Sequence, residues 1–544
     1  MNFKHFIFVW ALLFVACNTE HRSDFQQNVF RYNESKGITS LDPAYARNLA
    51  LIWPVVQIFN GLVQLSDSLT VEPCIAKCWN ISDDGLEYTF TLRHDVFFQA
   101  SEVFPNGVGR RVTAQDFVFS FNRIMNSSVA SPGLWVMSSI DKGIAGFENG
   151  CKAINDSTFT IRLKHPFPPF LGMLSMPYCF VVPHEAVSRY GKDFGRHPVG
   201  TGPFYLKYWK NGEKLVLRRN PNYFEIDSTG RRLPYLEAVN ITFTADKQSE
   251  FMDFLLGNTD FLSGIHPVSK DELLTKSGRL NSKYSSKVQM ITGPYLNTEY
   301  LGILLDTSSV NCNKTLQNFK VRKAMACGFD RKSMIRFLRG NIGYAATQGF
   351  VPPAMQGFRT ADYGYDYNPE LSRKLLAEAG FPNGNGLEPI TISTTDDYVD
   401  ICEYIQHQLG EVGFTVNIDV LPGAAYRDML ANSKLQVFRA SWVADYADPE
   451  NYLSLFLSEN FSPEGPNYTH FSSAKFDKLY SQAMRKSDYG KRLPFYRQMD
   501  SLVVSNAVVI PLYYDKVVRF ASTRVKGLTV NPMNLLVLKK VKVE

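Results

Sequence analysis

One short apolar run sets the first limit on what this 544-residue chain can become. Residues 6–16, FIFVWALLFVA, follow Lys4 and contain no polar side chain. These eleven residues are too few to cross a bilayer, which takes about 20, but they match the apolar core of an export signal, about 7–15 residues long. Elsewhere in the sequence no apolar stretch reaches the length of a membrane span. We therefore expect the mature chain to be exported and to fold in water.

The apolar run ends at Cys17, and the polar stretch NTEHRSDFQQN follows. This arrangement resembles a bacterial lipoprotein signal, in which the cysteine becomes the acylated first residue, although Phe14 stands where Leu is usual. An ordinary signal peptide with a chance cysteine is the alternative. We expect residues 1–17 to be a signal peptide with a lipobox, Cys17 to carry the lipid, and the protein to lie in the periplasm or cell envelope, anchored to a membrane.

Charge and cysteine content exclude several classes of function. The net charge is +6 without any run of five or six basic residues, which predicts no nucleic-acid partner. Beyond Cys17 seven cysteines remain, an odd number that cannot pair completely. Cys74 and Cys78 lack a second ligand pair at zinc spacing, so we predict no metal and no cofactor. Small buried thiols are expected, with one disulfide as the alternative.

Strand and helix patterns run along the whole chain and indicate an α/β protein. Thr113 is a candidate N-cap for an amphipathic helix, and Asn211-Gly212 marks a hairpin between two strand-like runs. Asn368 and Gly380 have the residue types expected at the start and the end of a second helix. A turn at Gly413 separates a helix from a strand. Without repeats or long low-complexity linkers, large lobes with short crossings are expected.

Recognisable catalytic motifs are missing from the sequence. The glycines of HPVGTGPF, residues 197–204, precede a β-rich stretch instead of a phosphate-binding helix, and no GxSxG elbow occurs. HEAVS, residues 184–188, lacks the second histidine of a zincin. Cys402 and His407 stand five apart on one predicted helix, a poor geometry for a nucleophile and its base. We therefore predict that the protein is not an enzyme.

The segment ASWVADYADPENYLSLF, residues 440–456, places three carboxylates among aromatic side chains. A buried acid needs a partner, because an unpaired buried charge costs more than packing returns. For Asp448 and Glu450 the pattern DPEN favours a helix start, with Asp448 as N-cap and Pro449 at the first position. Asp445 has no such local role, so its partner is a basic residue, a metal or a ligand.

Several segments together resemble the dipeptide and oligopeptide receptors among the solute-binding proteins of ABC importers. The resemblance runs from about residue 29 to 540 and keeps the order of segments expected in that family. The segments that carry it are SLDPAYARN (40–48), QIFNGLV (57–63), GRRVTAQDFVFSFNRI (109–124), HPVGTGPFYLKYWKNGEKLVLRRNPNYFE (197–225), VRKAMACGFDRKSMI (321–335), YNPELSRKLLAEAGFPNG (367–384) and SWVADYADPENYL (441–453).

The resemblance implies a two-lobed periplasmic-binding-protein fold of the large, peptide-binding type, with discontinuous lobes, a hinge and an interlobe cleft. Residues 18–294 plus 511–544 would form lobe I, and residues 295–510 would form lobe II. The protein would be a monomer that captures short peptides in the cleft and delivers them to an ABC permease of the inner membrane.

The resemblance also implies a set of ligand-binding residues. Asp445, three residues after Trp442, would pair with the peptide ammonium, and the backbone of Ser441–Val443 would pair with the peptide. Arg439 would meet the carboxylate of a shorter peptide, with a salt bridge inside the protein as the alternative. On the other wall the loop Arg47, Asn48 and Leu49 would offer backbone groups to the peptide. Arg47 stands at a position where the oligopeptide receptor has an acidic residue. Trp135 is a weaker candidate for the pocket wall, with core packing as its alternative.

Other functions stay open from the sequence alone. Relatives with this fold bind nickel chelates, haem, oligosaccharides or opines, so the ligand need not be a peptide. A hydrolase of peptides or cell-wall fragments would need an activated nucleophile or a metal. A receptor that senses peptides without transporting them would have the same sequence features.

Overall fold

Two long neighbouring strands, β12 and β17, organise the computed structural model, which describes residues 28–359 and 363–544. β12 has 16 residues and β17 has 14. The predicted signal peptide and Cys17 lie outside the described residues. The strands are β1 (Val29–Asn33), β2 (Val63–Leu65), β3 (Val71–Pro73), β4 (Ala76–Ile81), β5 (Glu87–Leu92), β6 (Cys151–Asn155), β7 (Thr158–Arg162), β8 (Phe204–Lys210), β9 (Lys214–Arg219), β10 (Ala238–Thr242), β11 (Phe261–Ser263), β12 (Val288–Ile303), β13 (Tyr344–Ala345), β14 (Ile390–Thr394), β15 (Val416–Val420), β16 (Val437–Val443), β17 (Val509–Ser522), β18 (Val525–Lys526) and β19 (Lys542–Val543).

Helices lie between these strands throughout the described ranges. They are α1 (Leu49–Ile58), α2 (Ala114–Met125), α3 (Phe170–Met173), α4 (His184–Tyr190), α5 (Lys247–Leu256), α6 (Pro267–Leu273), α7 (Phe319–Cys327), α8 (Arg331–Leu338), α9 (Pro369–Glu378), α10 (Val399–Glu411), α11 (Gly423–Ala431), α12 (Glu450–Leu453), α13 (Ala474–Met484) and α14 (Tyr489–Ser505). None of the helices that the structure describes is both long and apolar enough to cross a membrane.

A single large sheet runs through the molecule in the order β15-β14-β16-β12-β17-β11-β1-β10-β9-β8, with β13 also on β17. β12 and β17 are antiparallel neighbours at its centre. Their pairing register shifts between Pro294 and Thr298. A separate four-stranded sheet, β4-β5-β7-β6, covers the N-terminal part.

The buried side chains form two large cores on either side of this central pair. The first core collects residues 30–261 and 521–543, joined by Tyr446. The second core collects residues 296–513. A smaller third core includes Phe254 and Phe520. The lobe boundaries at 295 and 511 remain our proposal, which this division of the cores supports.

Local signals in the sequence act as predicted. The Asn368 side chain accepts a hydrogen bond from the Leu371 N–H at 2.8 Å and starts α9. Gly380 and Gly413 have φ values of +92° and +109°, which residues with a Cβ rarely adopt. β8 and β9 form the predicted hairpin around Gly212. These caps and turns confirm the alternation of helix and strand predicted for the second half.

Candidate functional site

The end of strand β16 has a free edge. β16 pairs with β12 along its whole length, from Val437 to Val443. On its other side β14 reaches only Val437 and Phe438. The stretch from Arg439 to Val443 therefore has a neighbouring strand on one side only.

The backbone groups on that free side belong to Ser441 and Val443. The Ala444 N–H donates to the Leu296 carbonyl of β12 at 2.9 Å, so even-numbered residues point their backbone groups at β12. Because backbone groups alternate along a strand paired in this way, those of Ser441 and Val443 point away from β12. The Arg439 carbonyl, in the same phase, accepts a hydrogen bond from the Tyr426 hydroxyl. Ser441 and Val443 can thus pair with an added chain.

Asp445 follows this edge and keeps an unpaired charge. Its side chain is open to solvent, and within the described residues no Lys, Arg or His nitrogen lies within 4.0 Å of it. Protein atoms nevertheless surround it closely enough that desolvation raises the pKa of Asp445 above its ordinary value. A hydrogen bond from Asn451 acts in the opposite direction on this pKa. The part of the chain that the structure describes therefore supplies no cation for this carboxylate.

Asn451 is a site residue that the sequence analysis missed. Its side-chain oxygen accepts hydrogen bonds from Trp442 Nε1 at 3.1 Å and from the Asp445 N–H at 3.0 Å. Its Nδ2 donates to Asp445 Oδ2 at 3.4 Å. Asn451 is buried, so one amide holds both the tryptophan and the aspartate in place. In the sequence, the feature that could have pointed to Asn451 is its position in DPEN, the predicted start of a helix.

Asp448 and Glu450 have partners inside the protein. Asp448 Oδ2 forms an ion pair with Arg492 at 3.1 Å, and its Oδ1 accepts from the Glu450 N–H at 3.0 Å at the start of α12. Glu450 accepts hydrogen bonds from the hydroxyls of Tyr446 and Tyr480. Burial raises the pKa of Glu450 to about 7. α12 begins at Glu450, one residue later than predicted. Among the described residues only Asp448 of the three acids has a cation within 4.0 Å, whereas Glu450 has two hydroxyls and Asp445 has one amide.

Arg439 is bound within the protein. Its Nη1 lies 2.6 Å from Glu299 Oε2 and 3.2 Å from Ser441 Oγ. The guanidinium carbon lies 3.3 Å from the centre of the Tyr398 ring. The internal salt bridge, weighed as the alternative, is the arrangement present. This corrects the expectation of Arg439 as a free cation for a ligand carboxylate, because its charge is already neutralised by a buried glutamate 140 residues away.

The other predicted site residues lie in the part of the chain that forms the first core. Arg47 and Asn48 are exposed, Leu49 is half-buried, and the Asn48 side chain caps α1 by accepting from the Leu51 N–H at 3.3 Å. Trp135 is 40% exposed, so it is not core packing. Its ring centre lies 6.4 Å from that of Tyr446, the residue after Asp445. Trp135 thus borders the same region as Asp445.

Tyr178 is a second residue that the sequence analysis missed. A Cβ on Gly133 would lie 2.3 Å from the Tyr178 ring, so a glycine is needed where this ring passes the chain before Trp135. Burial raises the pKa of Tyr178 to about 12, with a further increase from the charge of Asp445 and a decrease from that of Arg47. The hydroxyl of Tyr178 therefore experiences the charges of both Asp445 and Arg47.

The cysteines show no bonded pair in the described part of the chain. Cys74, Cys78, Cys151, Cys179, Cys312, Cys327 and Cys402 are all free thiols. Between residues 28 and 544, outside the undescribed gap, no cluster of three His, Cys, Asp or Glu side chains could hold a metal.

Two cores joined through one sheet, with a strand edge that is open between Arg439 and Val443, give the chain a two-lobed α/β fold. Residues 70–463 match the model of the bacterial extracellular solute-binding proteins, family 5. The chain belongs to this family, whose members serve ABC importers as solute receptors.

Similar proteins span nearly the whole chain. The probable deoxycholate-binding periplasmic protein YgiS of Escherichia coli K12 is 26% identical, over 94% of this chain and 93% of its own. The dipeptide-binding protein DppE of Bacillus subtilis is 26% identical, over 94% of this chain and 91% of its own. The structure of HbpA2 from Haemophilus parasuis superposes with a TM-score of 0.81 at 24% identity, over 95% of this chain and all of that one. The last comparison shows the shared fold.

Proposed function

We propose that this protein captures short peptides in the cleft between its lobes. Asp445 would bind the peptide ammonium, and the backbone of Ser441 and Val443 would pair with the peptide as an added strand. Trp442 and Trp135 would line the side-chain pockets, and Arg47, Asn48 and Leu49 would form the facing loop. A receptor built in this way holds features that all peptides share.

One observation carries this proposal: an acid without a cation stands directly beyond a strand edge without a neighbour. A peptide supplies both missing partners at once, an ammonium for Asp445 and a row of amides for β16. A nickel chelate, a bile acid or haem supplies neither an ammonium nor a row of amides. The combination therefore favours a peptide over the other solutes bound by proteins of this fold.

The named ligands of similar proteins include peptides and other compounds. DppE is named as dipeptide-binding, and a structure of DppA from Helicobacter pylori contains the peptide STSA. GsiB of Salmonella typhi is named as glutathione-binding. Heme-binding protein A of Haemophilus influenzae and YgiS are named for other ligands. The geometry around Asp445 supports a peptide as the ligand of this chain.

Export and anchoring belong to the same proposal. The apolar run before Cys17 supports a lipid-anchored protein in the periplasm or cell envelope. There it would act as a monomer and pass its ligand to an ABC permease of the inner membrane. Radiolabelled palmitate incorporated by the wild-type protein and absent from Cys17→Ser would support the anchor, whereas equal labelling of both would contradict it.

A hydrolase is the second candidate, because the structure joins a serine, a histidine and an aspartate. Ser433 Oγ lies 2.8 Å from His470 Nε2, and His470 Nδ1 lies 3.2 Å from Asp306 Oδ2, the atom order of a serine hydrolase triad. However, the N–H groups of Ser433 and Lys434 donate to carbonyls in α11, so neither serves as an oxyanion donor. We therefore infer binding without turnover. Peptide cleavage by the wild-type protein that is lost in Ser433→Ala would favour the hydrolase.

Isothermal titration of the purified protein tests the proposed ligand class. Trialanine and tetra-alanine, haem and deoxycholate are titrated separately into ligand-free protein. We expect saturable one-to-one binding of at least one peptide and weaker binding of haem and deoxycholate. Tight binding of haem or deoxycholate with no response to either peptide would contradict the proposal.

A further inference from the structure

A peptide bound through its ammonium brings a carboxylate with it, and two arginines beside the free edge of β16 already have acidic partners. Arg439 pairs with Glu299 at 2.6 Å. Arg339 lies 3.7 Å from Asp515 on β17. The two pairs are electrically coupled, since Glu299 also acts on the pKa of Arg339. This group of two cations and two anions is neutral as it stands.

Arg47 differs from these arginines in both exposure and pairing. It is exposed, in the loop between the turn Pro43–Tyr45 and α1. No Asp or Glu oxygen of the described residues lies within 4.0 Å of it, and its only hydrogen bond found there is from its backbone N–H to the Tyr45 carbonyl, at 2.8 Å. Arg47 therefore carries a positive charge that the described protein does not neutralise.

The fold brings this charge to the same region as Asp445. The turn Pro43–Tyr45 packs against the turn Pro177–Cys179, which carries Tyr178. The Tyr178 ring lies on Gly133, and the nearby Trp135 ring reaches Tyr446 beside Asp445. This chain of contacts connects Asp445, which has no cation within 4.0 Å among the described residues, with Arg47, which has no acid within that distance there.

Both charges also act on the pKa of Tyr178, which Asp445 raises and Arg47 lowers. An extended peptide spans about 3.3–3.6 Å per residue. A ligand that meets both charges with few residues between them is a short peptide, or one with an acidic side chain near its amino end.

Building on the proposed function, we propose that Arg47 binds a carboxylate of the ligand, so that the cleft selects short peptides with an anionic group near the amino end. The carboxylate is the C-terminus of a di- or tripeptide, or an acidic side chain near the N-terminus of a longer one. The planar guanidinium suits either carboxylate, since it donates two parallel hydrogen bonds. Arg47 then acts through its side chain, beyond the backbone role predicted from the sequence.

Isothermal titration of three proteins tests this role. They are the wild type, Arg47→Met, and Arg279→Met as a matched control, because Arg279 is an exposed arginine in the turn between α6 and β12 without an ion pair in the described structure. The first ligand pair is trialanine and trialanine amide. The second pair is Ala-Glu-Ala-Ala-Ala amide and its Gln counterpart, which separates a side-chain carboxylate from a C-terminal one.

We expect the wild type and Arg279→Met to bind the carboxylate form of at least one pair about 10-fold or more tighter than its neutral form, as for a charged hydrogen bond. Arg47→Met loses that preference and binds both forms alike. Equal preferences in all three proteins would overturn the role of Arg47 and leave the proposed function standing. Binding of no peptide by the wild type would overturn the proposed function and this inference together.

Discussion

At the scale of single residues, three acids within six positions have three different environments. Asp448 has Arg492, Glu450 has two tyrosine hydroxyls, and Asp445 has only an amide. The cost of a buried unpaired charge explains the difference. A buried acid needs a partner within the protein, whereas an acid that is open to the cleft can take its cation from a ligand. We propose that Asp445, which is open to solvent and accepts from a single amide, binds the ligand.

Glu450 predicts a pH dependence of stability. Its pKa is raised from 4.5 to about 7 in the folded protein, so the folded state holds a proton that the unfolded state has released. This stabilisation is complete below about pH 4.5 and is lost as the pH rises through about 7, a change of about 3 kcal/mol. The Glu450→Gln variant has no titrating carboxyl group at this position, so it lacks this dependence of stability on pH.

Thermal unfolding at pH 5 and pH 8 measures this effect. For a chain of this size about 3 kcal/mol corresponds to about 3 °C. We expect the Tm of the wild type, relative to that of Glu450→Gln, to fall by about that amount between pH 5 and pH 8. Glu464→Gln, at an exposed position, should follow the wild type. A constant difference between wild type and Glu450→Gln would contradict the raised pKa.

At the scale of elements, β14 pairs with only the first two residues of β16 and leaves the rest of that edge open. We propose that this open edge pairs with the backbone of the ligand. The backbone groups of Ser441 and Val443 point away from β12, whereas those of Trp442 between them point at β12. Such an edge invites aggregation when it is long and flat. Here the free part covers only Arg439–Val443.

Val443→Pro tests the free edge. Proline removes the outward N–H, and because that N–H does not bond to β12, no hydrogen bond between these strands is lost. We expect peptide affinity to fall by about 2- to 10-fold, the range for one neutral hydrogen bond. Val443→Ala keeps the N–H and should bind nearly as well as the wild type. Equal affinities for the proline and alanine variants, measured by titration, would show that this amide does not bind the ligand.

Local elements were predictable from the sequence because their causes are local. The cap at Asn368, the glycine turns and the β8–β9 hairpin each depend on a few adjacent residues. Asp445 stood out because its segment combined aromatic and acidic residues in a pattern shared with a family. The Glu299–Arg439 pair and the position of Tyr178 were beyond reach, because they depend on the register of β12 and on turns far apart in sequence.

At the scale of the whole molecule, two strands belong to both halves. β12 contributes Leu296 and Ile303 to the second core and Val288 to the third, while β17 contributes Leu512 to the second core and Ala521 to the first. The register shift between Pro294 and Thr298 falls where the cores change. We propose this point as the hinge, because β12 passes there from the third core, which holds Val288, to the second core, which holds Leu296. Closure would bring the wall of Arg47 and Trp135 toward Asp445.

The central claim is that Asp445 binds the ammonium group of the peptide ligand. The most direct measurement is a titration of trialanine and N-acetyl-trialanine into the wild type, Asp445→Asn and the control Asp271→Asn, an exposed acid without an ion pair among the described residues. Loss of one partner of such a pair costs about 2–5 kcal/mol, or about 30-fold to several thousand-fold in affinity.

We predict that acetylation weakens binding to the wild type and to Asp271→Asn by a factor in that range. Asp445→Asn should bind trialanine as weakly as the wild type binds the acetylated peptide, and acetylation should then have little further effect. If Asp445→Asn still distinguishes the two peptides as strongly as the wild type does, the ammonium binds elsewhere and the account of this site is contradicted.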